Sequence, residues 1–193
     1  MAFASCTSII TSKRNEMGVC RMSDLKVKIY ADGADLEAMS RMDSENFVSG
    51  FTTNPTLMAR NGIKDYLSFA KQVLNEISDK SISFEVFSDD LDDMYRQALI
   101  LRDLGDNVWV KIPVTNTQSV YTYDLIHKLS NEDVKINATA LFTKDHIDNV
   151  YNALNKDVES IISIFAGRIA NAGIDPEITM KYASDLTLSL IHI

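Results

Sequence analysis

Strand-like apolar runs alternate with helically patterned segments along this 193-residue chain, and that alternation restricts its fold more than its composition does. The strand-like runs fall at 27–32, 49–53, 82–87, 108–112, 134–140 and 161–165. Helix-start signals lie between them: Asp35 or a neighbour, Asn54 with Pro55 at the first helical position, and Ser88-Asp89-Asp90 ahead of a helix closing at Gly105. Asp175-Pro176 opens the last helix. Repeating βα units of roughly 25–30 residues imply a parallel sheet, either doubly wound or closed into a barrel. No Gly-x-Gly-x-x-Gly follows the first run and no phosphate-cradling lysine loop occurs, so nucleotide-binding sheets lose their main signature.

Parity within the runs favours the barrel. Successive strand side chains face opposite ways. Ile82, Phe84 and Val86 share one face, as do Val108, Val110 and Ile112, then Val134, Ile136 and Ala138, then Ile162, Ile164 and Ala166. That face is aliphatic, as expected beneath a ring of helices. The opposite face carries Asp32, Asn54, Glu85, Lys111, Asn137, Thr139 and Ser163, in or just beyond the C-terminal half of each run. Polar groups converging on the C-terminal mouth of a (β/α)₈ barrel are where such enzymes place their chemistry. Lys111 stands out among them, in the otherwise apolar strand Val108-Trp109-Val110-Lys111-Ile112-Pro113. Burial disfavours the charged form of a lysine, which suits a Schiff-base nucleophile. A lysine snorkelling from a strand end is the plainer reading of that segment alone, and the convergent polar face outweighs it.

Composition narrows the function further. A formal net charge of −8 argues against nucleic acid or an anionic membrane as a partner, while leaving room for a small phosphorylated substrate held by one arginine. No apolar run is long enough to span a bilayer. Cys6 and Cys20 precede the first strand-like run without metal-ligand spacing, so a reduced, cytoplasmic setting is the default. Asp89, Asp90, Asp92 and Asp93 lack the glycine and terminal glutamate of a calcium loop and read as the first turn of a helix. His127 and His146 fall in helical segments without metal-ligand pairing, and Trp109 is expected to fill the barrel interior.

The same residues carry a family signature. Gly50-Phe51-Thr52-Thr53-Asn54-Pro55-Thr56-Leu57 resembles the Thr-Thr-Asn-Pro motif of transaldolases, and the strand holding Lys111 is similar to their Schiff-base strand. Ile136-Asn137-Ala138-Thr139-Ala140-Leu141-Phe142 resembles their fifth strand, and Ser163-Ile164-Phe165-Ala166-Gly167-Arg168 their sixth. The motifs run in the family's order from about residue 27 to about residue 187, and compact bacterial transaldolase-like proteins are the nearest in kind.

The resemblance implies a class I aldolase-type (β/α)₈ barrel that moves a dihydroxyacetone unit between sugar phosphates through a lysine Schiff base, with no metal and no cofactor. Lys111 would be the nucleophile and Asp32 the base during carbon–carbon cleavage. Glu85 would act with Thr139 through an ordered water to move protons. Asn54 and Asn137 would hold the dihydroxyacetone hydroxyls with Ser163 beside them, Thr52 and Phe165 would also belong to the substrate-binding set, and Arg168 would meet the phosphate. Sister fructose-6-phosphate aldolases tend to place glutamine at position 85 and tyrosine at position 165, so Glu85 and Phe165 favour transfer over simple cleavage. A non-catalytic scaffold barrel is the alternative from another class. The chain departs from the family at Ile164, usually proline, and at Ala138, usually a larger apolar residue.

Three expectations concern extent. Residues 1–21 lack periodicity and are expected to be a disordered extension ahead of Met22, and residues 22–187 a partial barrel of about the first six βα units. Residues 188–193 match an in-frame translation of a sequencing-library transposon end and are expected to be non-native. The chain as it stands is accordingly expected to be inactive and poorly folded, and homo-oligomerisation of a full-length form is left open.

Overall fold

The structure, a computed structural model, describes residues 28–188. The flanking segments singled out above, 1–21 and 188–193, therefore lie outside the described residues apart from the backbone of Leu188, as do the first residues, 22–27, of the expected barrel stretch. The strands are β1 (Ile29–Asp32), β2 (Val48–Thr52), β3 (Ser81–Glu85), β4 (Val108–Pro113), β5 (Ile136–Leu141) and β6 (Ser160–Ile164). Helix α1 (Leu36–Asp43) follows β1, α2 (Pro55–Arg60) and α3 (Tyr66–Glu76) follow β2, and α4 (Leu91–Arg102) follows β3. Helices α5 (Tyr123–Ser130) and α6 (Lys144–Ala153) follow β4 and β5, and α7 (Ala166–Asn171) and α8 (Pro176–Leu188) follow β6.

All strand pairings are parallel and the sheet order is β1-β2-β3-β4-β5-β6, so each strand lies beside its sequence neighbour and the sheet curls into an incomplete (β/α)₈ barrel. The aliphatic parity packs outward beneath the helices. Ile82, Phe84, Val110, Ile112, Ile136 and Ala138 are buried against helix residues such as Val73, Ala98, Ile126 and Ile147. Each fully buried aliphatic side chain contributes roughly 1.5–3 kcal/mol of transfer free energy, which makes this layer the main source of cohesion.

Helix starts follow the capping signals. Asp35 accepts from the Ala38 amide, Asn54 from Leu57 with Pro55 behind it, Asp65 from Ser68, and Asp90 from Asp93. Asp89 takes a different task, accepting from both the amide and the hydroxyl of Thr117 in the β4–α5 loop. Among the described residues no helix is long and apolar enough to cross a membrane.

The structure corrects several boundaries. Between β2 and β3 there are two helices rather than one, because Gly62 takes a left-handed φ of 70° just past the end of α2. β3 ends at Glu85, short of the expected residue 87, because the amides of Phe87 and Ser88 turn to the Gln97 side chain. β5 starts at Ile136, as Val134 N–H closes back onto the Leu129 carbonyl at the end of α5. β6 ends at Ile164, and Phe165 stands at the N-terminal end of α7. Trp109 is half-buried on the interior parity, with the Lys135 ammonium 4.7 Å from its ring centroid.

Candidate active site

The registers bring the polar parity together. Glu85 on β3 pairs with Lys111 on β4, and Lys111 pairs with Asn137 on β5. Asp32 on β1 is level with Thr52 on β2, and Thr52 in turn with Ser83 on β3. These residues therefore form an arc across the interior, at the C-terminal ends of β1, β2 and β3 for Asp32, Thr52 and Glu85, and deeper for Ser83, Lys111 and Asn137, the last being the second residue of β5.

Lys111 is 8% exposed and its Nζ lies 3.1 Å from Glu85 Oε2. Burial pushes the Glu85 carboxyl above its ordinary value; the Lys111 ammonium opposes that rise and the charge on Asp32 adds to it. A carboxyl raised by burial and set 3.1 Å from a buried lysine is the kind of group that acid–base chemistry uses. Thr52 Oγ1 donates to Asp32 Oδ1 at 2.8 Å, which orients that exposed carboxylate. Thr139 Oγ1 is buried without a hydrogen-bond partner among the described residues. Beneath these groups Asn137 Nδ2 donates to Ser83 Oγ at 3.0 Å, and Ser163 Oγ donates to Asn137 Oδ1 at 2.8 Å.

A cavity of about 710 Å³ opens over this arc. Asp32, Thr52, Asn54, Lys111, Asn137, Thr139, Ser163, Phe165 and Arg168 all line it. Glu85 does not; it sits behind Lys111 and reaches the cavity through that ion pair. Arg168, in α7, is exposed, and its guanidinium lies 5.9 Å from the Phe165 ring centroid.

Sequence reasoning missed three contributors. Ser83 shares the parity of Glu85 and was legible from it, but a small hydroxyl carries no motif. Tyr66 of α3 donates its hydroxyl to the Glu85 carbonyl at 2.8 Å, and burial, with the Glu85 charge behind it, raises the phenol pKa. Met180 of α8 also lines the cavity, and no local pattern distinguishes it from an ordinary helical methionine.

A family model described as Transaldolase/Fructose-6-phosphate aldolase matches residues 29–187. The chain is 34% identical to a probable transaldolase of Dehalococcoides mccartyi over 149 residues, 77% of this chain and 65% of that protein. It is 35% identical to a probable transaldolase of Thermoplasma volcanium over 153 residues, covering 77% of this chain and 64% of that protein. It thus spans a little under two thirds of the length of these curated relatives. Among solved structures, the carboxyl transferase domain of Rhizobium etli pyruvate carboxylase overlays with a TM-score of 0.51 at 12% identity, covering 83% of this chain and 36% of that one, a likeness of fold alone. With a match that runs from the first strand into the last helix, this chain belongs to the transaldolase/fructose-6-phosphate aldolase family.

Proposed function

We propose that the site transfers a dihydroxyacetone unit from a ketose phosphate to an aldose phosphate through a Schiff base on Lys111. The observation that carries this reading is buried Lys111 paired at 3.1 Å with half-buried Glu85, with Lys111 at the wall of a cavity that also holds the Asp32 carboxylate and the amides of Asn54 and Asn137. Lys111 Nζ attacks the ketose carbonyl carbon, and the carbinolamine loses its hydroxyl as water to give the iminium. Glu85 moves the protons of both steps, with Thr139 presenting its uncommitted hydroxyl to the water that leaves and later returns. Asp32 then takes the hydroxyl proton two carbons from the iminium. The adjacent carbon–carbon bond breaks, an aldose leaves, and its electron pair stays on the lysine-bound unit as an enamine.

The enamine attacks the carbonyl carbon of an acceptor aldose, and hydrolysis of the new iminium frees the product and restores the Lys111 amine. Asn54 and Asn137 hold the hydroxyls of the dihydroxyacetone unit, with Ser163 beside them. Arg168 meets the phosphate, and its exposed position at the cavity rim suits a terminal anionic group. Phe165 offers no hydroxyl that could protonate the enamine, which favours transfer over release of free dihydroxyacetone.

The test is borohydride reduction in the presence of fructose 6-phosphate, followed by mass mapping. The adduct is expected on Lys111 alone; an adduct that survives Lys111→Ala, or that lands on Lys28 or Lys135, overturns the assignment. Free dihydroxyacetone formed from fructose 6-phosphate without an acceptor aldehyde would instead mark aldolase-type cleavage.

A further inference from the structure

We infer that Ser83, which does not line the cavity, is a positioning residue that sets the specificity of the site for a hydroxylated carbonyl compound, acting through Asn137. The inference rests on the Schiff-base reading above. Asn137 is 1% exposed on β5, which has a neighbouring strand on each side, and its carboxamide is held from two sides. Ser83 Oγ, from β3, accepts one N–H at 3.0 Å; Oδ1 accepts from Ser163 Oγ, from β6, at 2.8 Å. The clamp spans the interior, since β4 lies between β3 and β5.

A primary amide has two N–H donors and a carbonyl oxygen with two lone pairs. The serines take one donor and one lone pair, so one N–H and one lone pair are left. Asn137 lines the cavity and is level with Lys111 in the β4–β5 register. The remaining pair therefore suits a hydroxyl on the carbon next to the lysine-bound carbonyl. An unclamped amide would turn about its last torsion, and a buried donor would lose its partner. Ser83 is itself 1% exposed and held in the ladder by its carbonyl, which accepts from Thr53 N–H at 3.0 Å, so its hydroxyl is a fixed post.

The test measures adduct yield at Lys111 after borohydride reduction as a function of carbonyl concentration. Dihydroxyacetone is compared with acetone, which has the carbonyl and no hydroxyl. In Ser83→Ala the half-saturating concentration for dihydroxyacetone is expected to rise about tenfold, the loss of roughly one buried hydrogen bond, while that for acetone stays within about twofold. In an Asn137→Ala background the same Ser83→Ala change is expected to have no further effect on dihydroxyacetone, the mark of a residue acting through another. Equal weakening of both carbonyls, an unchanged response to dihydroxyacetone, or additive effects in the double variant would each overturn the inference. A wild-type chain that traps neither carbonyl at Lys111 would overturn the Schiff-base reading instead, so the two failures are distinguishable. Should Ser83→Ala lower the melting temperature, the ratio of the two half-saturation values still decides, because misfolding weakens both carbonyls alike.

Discussion

Glu85 stands where burial and an opposing charge meet, and the balance makes its ionisation testable. Its carboxyl is raised above the ordinary 4.5, so the folded chain holds this proton more tightly than the unfolded chain does. Its contribution to stability is fully present below the ordinary value and is lost as pH rises through the raised folded value. Glu85→Gln keeps the neutral shape at every pH. The difference in melting temperature, variant minus wild type, should therefore become more positive as pH rises from the ordinary value of 4.5. A difference that stays flat, or that falls with pH, would mean that Lys111 dominates and the carboxyl is not raised. The same variant should slow adduct formation on Lys111 by about 10²- to 10⁴-fold, the usual worth of a positioned acid–base group. Asp32→Ala separates the other carboxylate's role. It should still form the reduced adduct but lose carbon–carbon cleavage, and equal loss of both would assign Asp32 to the fold.

At the scale of elements, the β2–α2 junction combines architecture with the site. Asn54 Oδ1 accepts the Leu57 amide at 2.9 Å and caps α2, while the same side chain lines the cavity. One amide thus serves the helix with its oxygen and leaves its Nδ2 donors for a ligand. Asn54→Asp should keep the melting temperature within about 2 °C and weaken dihydroxyacetone adduct formation, whereas Asn54→Ala should also lose about 1 kcal/mol of stability. Equal melting losses in both variants would show that the oxygen is not the cap. Four residues earlier, Gly50 is fixed by crowding: a Cβ there would lie 2.5 Å from the Ser81 carbonyl oxygen and 2.6 Å from Tyr30 Cε1. Gly50→Ala should cost about 1–3 kcal/mol in denaturant unfolding, because a backbone atom of β3 must move. The Gly50–Leu57 signature was legible because each of these demands leaves a residue type in the chain.

Other element features left no such trace. The early end of β3 depends on Gln97, ten residues beyond Phe87, and that pairing exists only once α4 has docked. In β5, Ala140 takes a φ of 63°, and the β5–β6 register shifts between Ala138 and Leu141. Left-handed backbone costs a non-glycine residue roughly 1–2 kcal/mol, and alanine announces none of it in sequence. The parity rule found the inward-facing residues because it needs only a period of two. It could not find Tyr66 or Met180, which reach the site from helices whose docking angle no local pattern encodes.

For the whole molecule, the sheet order divides the site. Lys111 on β4 and Glu85 on β3 lie between strands on both sides, whereas Asp32 lies on β1 and Ser163 on β6, the two ends of the order among the described residues. Arg168 follows β6 in α7, so the phosphate end of the cavity hangs on a terminal strand as well. Central strands bury both flanks of their hydrogen-bond ladders; terminal strands open at lower free energy and offer an edge for pairing with other chains. Amide hydrogen exchange should therefore show the strongest protection in β2 to β5 and the weakest in β1 and β6, with concentration-dependent association of the 193-residue polypeptide. The chemistry should divide the same way. Whatever residual Schiff-base formation Lys111 and Glu85 support, transfer, which adds Asp32 and Arg168, is expected to run at least about tenfold below it, the effect of roughly 1.4 kcal/mol of lost positioning. The measurement is single-turnover trapping of the adduct beside the rate of aldose exchange on the same preparation. Uniform protection across all six strands, together with transfer as fast as adduct formation, would show that β1 and β6 are held as firmly as the centre and that the site does not divide along the sheet.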